Sequence, residues 1–262
     1  MSTISTYLAI TSNMSRWLSA MAQSPEVSSQ TKYFEQNIGK VTSASQLVSN
    51  PRLFNYAMTA FGLGDRTNEK GLMKEVLAQG VNSSTALANT LGNPSIRAFA
   101  LAFDFASNGP ATTNSPSLAA NVVNRYLENS LQTSQGQQNP GVQLALYFQE
   151  NAPSLTSIYG ILGDKNLLTV VQTALGISPL TSMEPIDVQA NALSKRINLA
   201  DFQNPTKLRA FIERFSAMND VNNGGSTGTS GSNIVSLLNT EAGAGVDGGL
   251  LLQAQNVNFG GL

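Results

Sequence analysis

Few residues in this chain have the types and spacings that could do chemistry. The run GAGVDG at residues 243–248 fits the G-x-G-x-x-G pattern, in which glycines let a backbone approach a pyrophosphate held at a helix N-terminus. That chemistry needs a strand before it and a further βαβ unit after it, and only 14 residues follow. Ser29 and Lys32 have the S-x-x-K spacing that sets a serine nucleophile beside a lysine base on a helix, but the chain has no S-D-N or K-T-G companion, so the pair reads as a solvated helix face. The carboxylates Glu69, Glu75, Asp104, Glu128, Glu150, Glu184, Asp187 and Asp201 are scattered singly, without a spacing that argues for an acid–base pair or a magnesium site. Arg97 and Arg209 stand in similar surroundings and read as arginines that bond helix ends or a local acid. With no cysteine and no histidine, thiol nucleophiles, serine–histidine triads and nearly all zinc sites are excluded. The expectation is therefore no enzyme, with no catalytic, cofactor-binding or metal-ligating residue and no cofactor.

Composition narrows the partners in the same way. A net charge of −1 and an isoelectric point near 5.5 supply no attraction for a phosphate backbone, so nucleic acid is not an expected partner. The sequence has no apolar run long enough for an integral membrane protein and no secretory-signal pattern at residue 1. Only 12% of residues are charged, whereas Ser, Thr, Asn and Gln make up roughly a third of the chain, a balance compatible with an extended, export-competent protein.

The elements that must position these residues are organised by one recurring stretch. Residues 50–62, NPRLFNYAMTAFG, return 114 positions later as residues 164–176, DKNLLTVVQTALG. Asn50 and Asp164 are N-caps, Pro51 suits the first helical turn, and Gly62 and Gly176 suit a left-handed stop. Between them Leu53, Ala57, Ala60 and Phe61, and again Leu167, Val171, Ala174 and Leu175, form one apolar stripe per copy. The agreement continues outward, with Tyr33-Phe34 matching Tyr147-Phe148, and NPSIRAFALAF at 93–103 matching NPTKLRAFIERF at 204–215.

In chain order, residues 1–22 predict one helix with a seam of Tyr7, Ile10, Met14, Trp17, Leu18 and Met21 that packs on the repeats. Helical spacing resumes over 26–38, and the first copy closes with Ile96, Phe99, Ala100 and Phe103 facing inward. Residues 107–117, SNGPATTNSPS, read as the connection between copies. A helix over 118–131 precedes a Gln/Gly stretch at 132–139. From residue 219 the composition becomes that of a flexible tail, with an apolar turn at 234–238. The expected fold is all-α, a helical bundle of two tandem pseudo-repeats: 1–106, a linker at 107–117, 118–218, and a Gly/Ser-rich tail at 219–262.

The blocks TKYFEQNIGKV (31–41), LFNYAMTAFGL (53–63), GVQLALYFQENAPSLTSIYGILGD (141–164) and VVQTALGI (170–177) resemble the domain of unknown function 1217 family, over residues 3 to about 218. That resemblance implies an all-helical fold with no known enzymatic activity, in alphaproteobacteria and among flagellar genes. The function it suggests is a non-enzymatic structural or assembly protein of the bacterial flagellum or basal body, packing against rod, hook or export components. The alternatives are a cytoplasmic chaperone or regulator of flagellar export, and a small-ligand binder or enzyme with a site between the repeats.

Overall fold

Polar residues placed just ahead of apolar stripes start many of the helices, and left-handed glycines stop several of them. The computed structural model describes residues 2–223, and among these no strand forms. In order the helices are α1 (Thr3–Ser12), α2 (Met14–Gln23), α3 (Pro25–Asn37), α4 (Ala44–Ser49), α5 (Pro51–Ala60), α6 (Lys70–Gln79), α7 (Leu87–Thr90) and α8 (Pro94–Phe103). They continue as α9 (Phe105–Asn108), α10 (Pro116–Gln138), α11 (Pro140–Asn151), α12 (Ile158–Leu162), α13 (Lys165–Leu175), α14 (Ile186–Ser194), α15 (Leu199–Phe202) and α16 (Pro205–Asn222). The fold is all-α.

The two recurring stretches carry matching contacts. Asn50 accepts hydrogen bonds from the Arg52 and Leu53 amides, both at 3.2 Å, and Asp164 accepts from the Asn166 and Leu167 amides at 2.9 and 3.1 Å. Each cap also meets a tyrosine two helices back, on α3 or α11: Asn50 Nδ2 donates to the Tyr33 hydroxyl at 3.2 Å, and the Tyr147 hydroxyl donates to Asp164 Oδ2 at 2.6 Å. At the other end Gly62 and Gly176 have φ of 71° and 63°. The following amides, Leu63 and Ile177, reach back to Met58 and Gln172 carbonyls, each at 2.8 Å. This satisfies carbonyls that the last turn would otherwise leave open.

Because Asp164 is buried, charged, and holds both the α13 amides and the Tyr147 hydroxyl, its loss removes three bonds at once. Asp164→Ala is expected to cost about 2 kcal/mol in urea unfolding, and more than Asn50→Ala, whose cap is part-exposed and uncharged. Equal costs for the two substitutions would contradict this reading of the buried cap.

The described residues belong to one compact unit that holds two hydrophobic clusters. In the first, Phe34, Leu53, Met58, Val76, Phe99 and Phe103 pack together. In the second, Phe148, Leu167, Val171, Ile212 and Phe215 do so. The stripe residues are buried as their spacing predicts, except Leu175, which is partly buried.

Helix α10 serves both clusters, its front half giving Leu118 and Val122 to the first and its back half giving Leu131 to the second. Helix α1 precedes the first copy in sequence yet delivers Tyr7 and Ile10 to the second cluster. Each cluster thus takes in a helix from outside its own recurring stretch. At this junction α1, α11 and α16 converge closely: a Cβ on Gly141 would lie 2.2 Å from Asn219 Nδ2 and 2.8 Å from Thr3 Oγ1, so a larger residue would force those side chains to shift. Asp220 on α16 caps α1, accepting from the Thr3 amide at 2.7 Å and the Ser2 hydroxyl at 2.5 Å. Burial raises its pKa, but these hydrogen bonds outweigh burial and hold the carboxyl below its ordinary range.

Several local expectations differ from the structure. The predicted helix over 1–22 is broken at Asn13 (φ −138°, ψ 40°) into α1 and α2, and both pack on the second cluster. The helix expected to end at 131 continues through Gln138, because glutamine is a good helix former and the stop waits for the Asn139 cap and Pro140 of α11. Inside 107–117, Thr112 and Thr113 are buried, their hydroxyls donating to the Phe103 and Val41 carbonyls. Residues 219–222 belong to α16 and hold the N-terminus of α1. The turn at 234–238 and the rest of the Gly/Ser-rich segment lie outside the described residues.

Candidate docking surface

The residues whose spacing suggested chemistry do not converge. Ser29 Oγ accepts from Arg52 Nη2 at 3.2 Å, and Lys32 is exposed. Both border a surface recess of about 500 Å³ with Tyr33 and Gln36. Arg97 donates to Asn89 at 3.1 Å and Arg209 to Glu213 at 2.7 Å, so both bond locally. Asp201 pairs with Lys207 at 2.7 Å, while Asp104 accepts from Ser107 and Asn108 at 2.8 and 3.1 Å. The GAGVDG run lies outside the described residues. Among the described residues no three His, Cys, Asp or Glu side chains form a group that could hold a metal, and no helix is long and apolar enough to cross a membrane.

The sequence spacing did not show that Glu128 lies close enough to Glu150 to feel its charge. Glu150 on α11 accepts from Arg125 Nη1 at 3.0 Å and from Gln132 Nε2 at 2.8 Å, in the seam between the clusters. Burial raises its pKa, opposed by the Gln132 bond and the Arg125 charge. Burial also raises that of Glu128, and the Glu150 charge adds to it. The Arg125 guanidinium lies 4.9 Å from the centre of the Phe61 ring, so the arginine ties α10 to both clusters. The seam is a packed polar joint.

Arg125→Met is expected to cost about 1–3 kcal/mol at pH 8, below the fully buried-pair value because both side chains keep some exposure. A carboxyl whose folded pKa is raised gives stability that is present below the ordinary value of 4.5 and lost as pH rises through the folded pKa. Removing Arg125 raises that pKa further, so the penalty shrinks toward pH 4.5. A penalty independent of pH would assign Arg125 to packing alone.

The exposed apolar side chains are distributed unevenly. Of the eight large ones exposed among the described residues, five fall together: Leu180 (72% exposed), Met183 (85%), Ile186, Val188, and Tyr159 of α12 packed against α14. Their backbone is well fixed. Ser178 caps the 3₁₀ turn Pro179–Met183, and Gln172 on α13 donates to Ser182 Oγ at 2.9 Å. Gln189 donates to the Glu184 carbonyl at 2.6 Å, and the Tyr159 hydroxyl donates to Asp187 at 2.9 Å.

The first copy provides an internal control. Counting the same 114 positions, Leu180 and Met183 correspond to Arg66 and Glu69, which form a two-pronged ion pair with distances of 2.9 and 2.7 Å. One copy thus solvates this corner with charge where the other turns bare hydrocarbon outward. The signal was present in the sequence: SPLTSMEPIDV at 178–188 carries Leu, Met, Ile and Val without a helical period, where GDRTNEK at 64–70 carries no large apolar residue. Spacing rules look for stripes that bury themselves, so they pass over such a run.

The matches to known proteins bear on the whole fold. A model of the family described as "Protein of unknown function (DUF1217)" matches residues 60–208. The X-ray crystal structure of protein AGR_C_984 from Agrobacterium tumefaciens is 32% identical in sequence, with a TM-score of 0.78, covering 84% of this chain and 94% of that one. No curated protein matches.

Proposed function

The chain belongs to the DUF1217 family, and from that premise we propose that it is a non-enzymatic structural or assembly protein of the bacterial flagellum that works by packing against rod, hook or export components. The flagellar setting comes from the family resemblance noted above. The observation that carries the packing mechanism is the fixed, outward-turned apolar corner of Leu180, Met183, Ile186, Val188 and Tyr159. Fully burying such a side chain is worth about 1.5–3 kcal/mol, and a neighbour recovers the share that is still exposed on covering them. Because hydrogen bonds already hold the backbone, little ordering entropy is lost on docking.

The test is fractionation. Immunoblots of purified hook–basal bodies should contain the protein at a fixed ratio to a rod subunit. Recovery confined to the cytosol would contradict the structural role and favour the export chaperone.

A further inference from the structure

We infer that the Leu180–Val188 corner receives an apolar segment of a different protein flanked by lysine or arginine. This rests on the packing function proposed above and names the class of partner. Two carboxylates, Glu184 and Asp187, stand among the four apolar residues of this segment, and the chain has no lysine or arginine between Lys165 and Lys195. Covering Leu180, Met183, Ile186 and Val188 therefore takes water away from both carboxylates. A buried carboxylate without a cationic donor is strongly unfavourable, and Tyr159 supplies Asp187 with one neutral hydrogen bond. An occupant with cations beside its apolar anchors meets both requirements at once.

The same charges select against a second copy of this chain. A two-fold pairing brings the patch against a second copy of itself, so carboxylates would be buried against a surface that offers carboxylates and no lysine or arginine from this segment. The equivalent corner of the first copy holds no such site, since Arg66 neutralises Glu69 there. The surface is short, spanning residues 178–188 and one residue of α12, which matches two to three turns of an amphipathic helix with anchors at i, i+3 and i+4.

The test uses two fluorescein-labelled 14-residue amphipathic peptides, one of leucine and lysine and one of leucine and glutamate, titrated with the full chain and read by anisotropy. The leucine–lysine peptide should bind at least about tenfold more tightly, a difference worth about 1.4 kcal/mol. The double variant Leu180→Gln/Met183→Gln should weaken it about tenfold. Glu184→Gln/Asp187→Asn should bring the two peptides to equal affinity and abolish the salt dependence. Equal binding of both peptides to the unaltered chain, no binding of either, or a dimer in sedimentation that Leu180→Gln/Met183→Gln dissolves would each overturn the inference. The flagellar reading is judged separately by the hook–basal body immunoblot, so a protein found there whose Glu184→Gln/Asp187→Asn variant still assembles sinks the inference and spares that reading.

Discussion

Phe99→Ala is expected to destabilise the protein by about 3–5 kcal/mol, enough to remove a large part of the stability of a domain this size. Phe99 is fully buried on the inner face of α8, with ring centres 5.5 Å from Phe61 and 5.3 Å from Phe103, both at edge-to-face angles. Phe103 cannot close the gap without leaving its own packing against Phe105 and Phe61, so a cavity remains. Phe211, the matching residue of α16, provides the contrast. It is only partly buried, stacked 5.4 Å from Phe148 and edge-on to Phe202 at 5.1 Å. The second copy has Leu175 where the first has Phe61, so its aromatic contacts move to α11 and α15. Phe211→Ala should cost less than Phe99→Ala. A loss under about 1 kcal/mol for Phe99→Ala in chemical denaturation would rule out its core position.

Tyr7→Ala is expected to be nearly as damaging, at about 3–5 kcal/mol, although Tyr7 lies in the first ten residues, where chain ends are commonly tolerant. Its ring is inserted in the second cluster, and α1 is seated there by Asp220 and by the glycine contact at Gly141. Burial raises the Tyr7 hydroxyl to about 12, with the Glu213 charge adding to it. An acid whose folded pKa is raised gives stability that is fully present below its ordinary value of 10 and lost as pH rises through the folded pKa. Part of the alkaline loss between pH 10 and 12 should therefore disappear in Tyr7→Phe. Proteolysis of Tyr7→Ala should release α1 before the rest unfolds, whereas an unchanged cleavage pattern and a cost under 1 kcal/mol would remove α1 from the core.

Local signals made the helix starts and stops legible. Asn50, Asp164, Gly62 and Gly176 do what their chemistry demands, and the apolar stripes lie where spacing puts them. Destination was not legible. Nothing in the seam from Tyr7 to Met21 says that α1 crosses to the second cluster, because periodicity identifies a buried face but not what covers it. Asp220 looked like the start of a polar tail, since a cap offered to a helix over 200 residues away leaves no local pattern. The joint of Arg125, Gln132 and Glu150 was hidden for the same reason. The apolar corner shows only when one copy is read against the other.

If the chain works by presenting an apolar corner to a neighbour, complementation by a variant of that corner must fail. A deletion strain carrying Leu180→Gln/Met183→Gln should swim no better than the deletion alone, while the purified variant unfolds within about 0.5 kcal/mol of the unaltered protein. Swimming at the unaltered rate, with flagella of normal number and length, would contradict the claim.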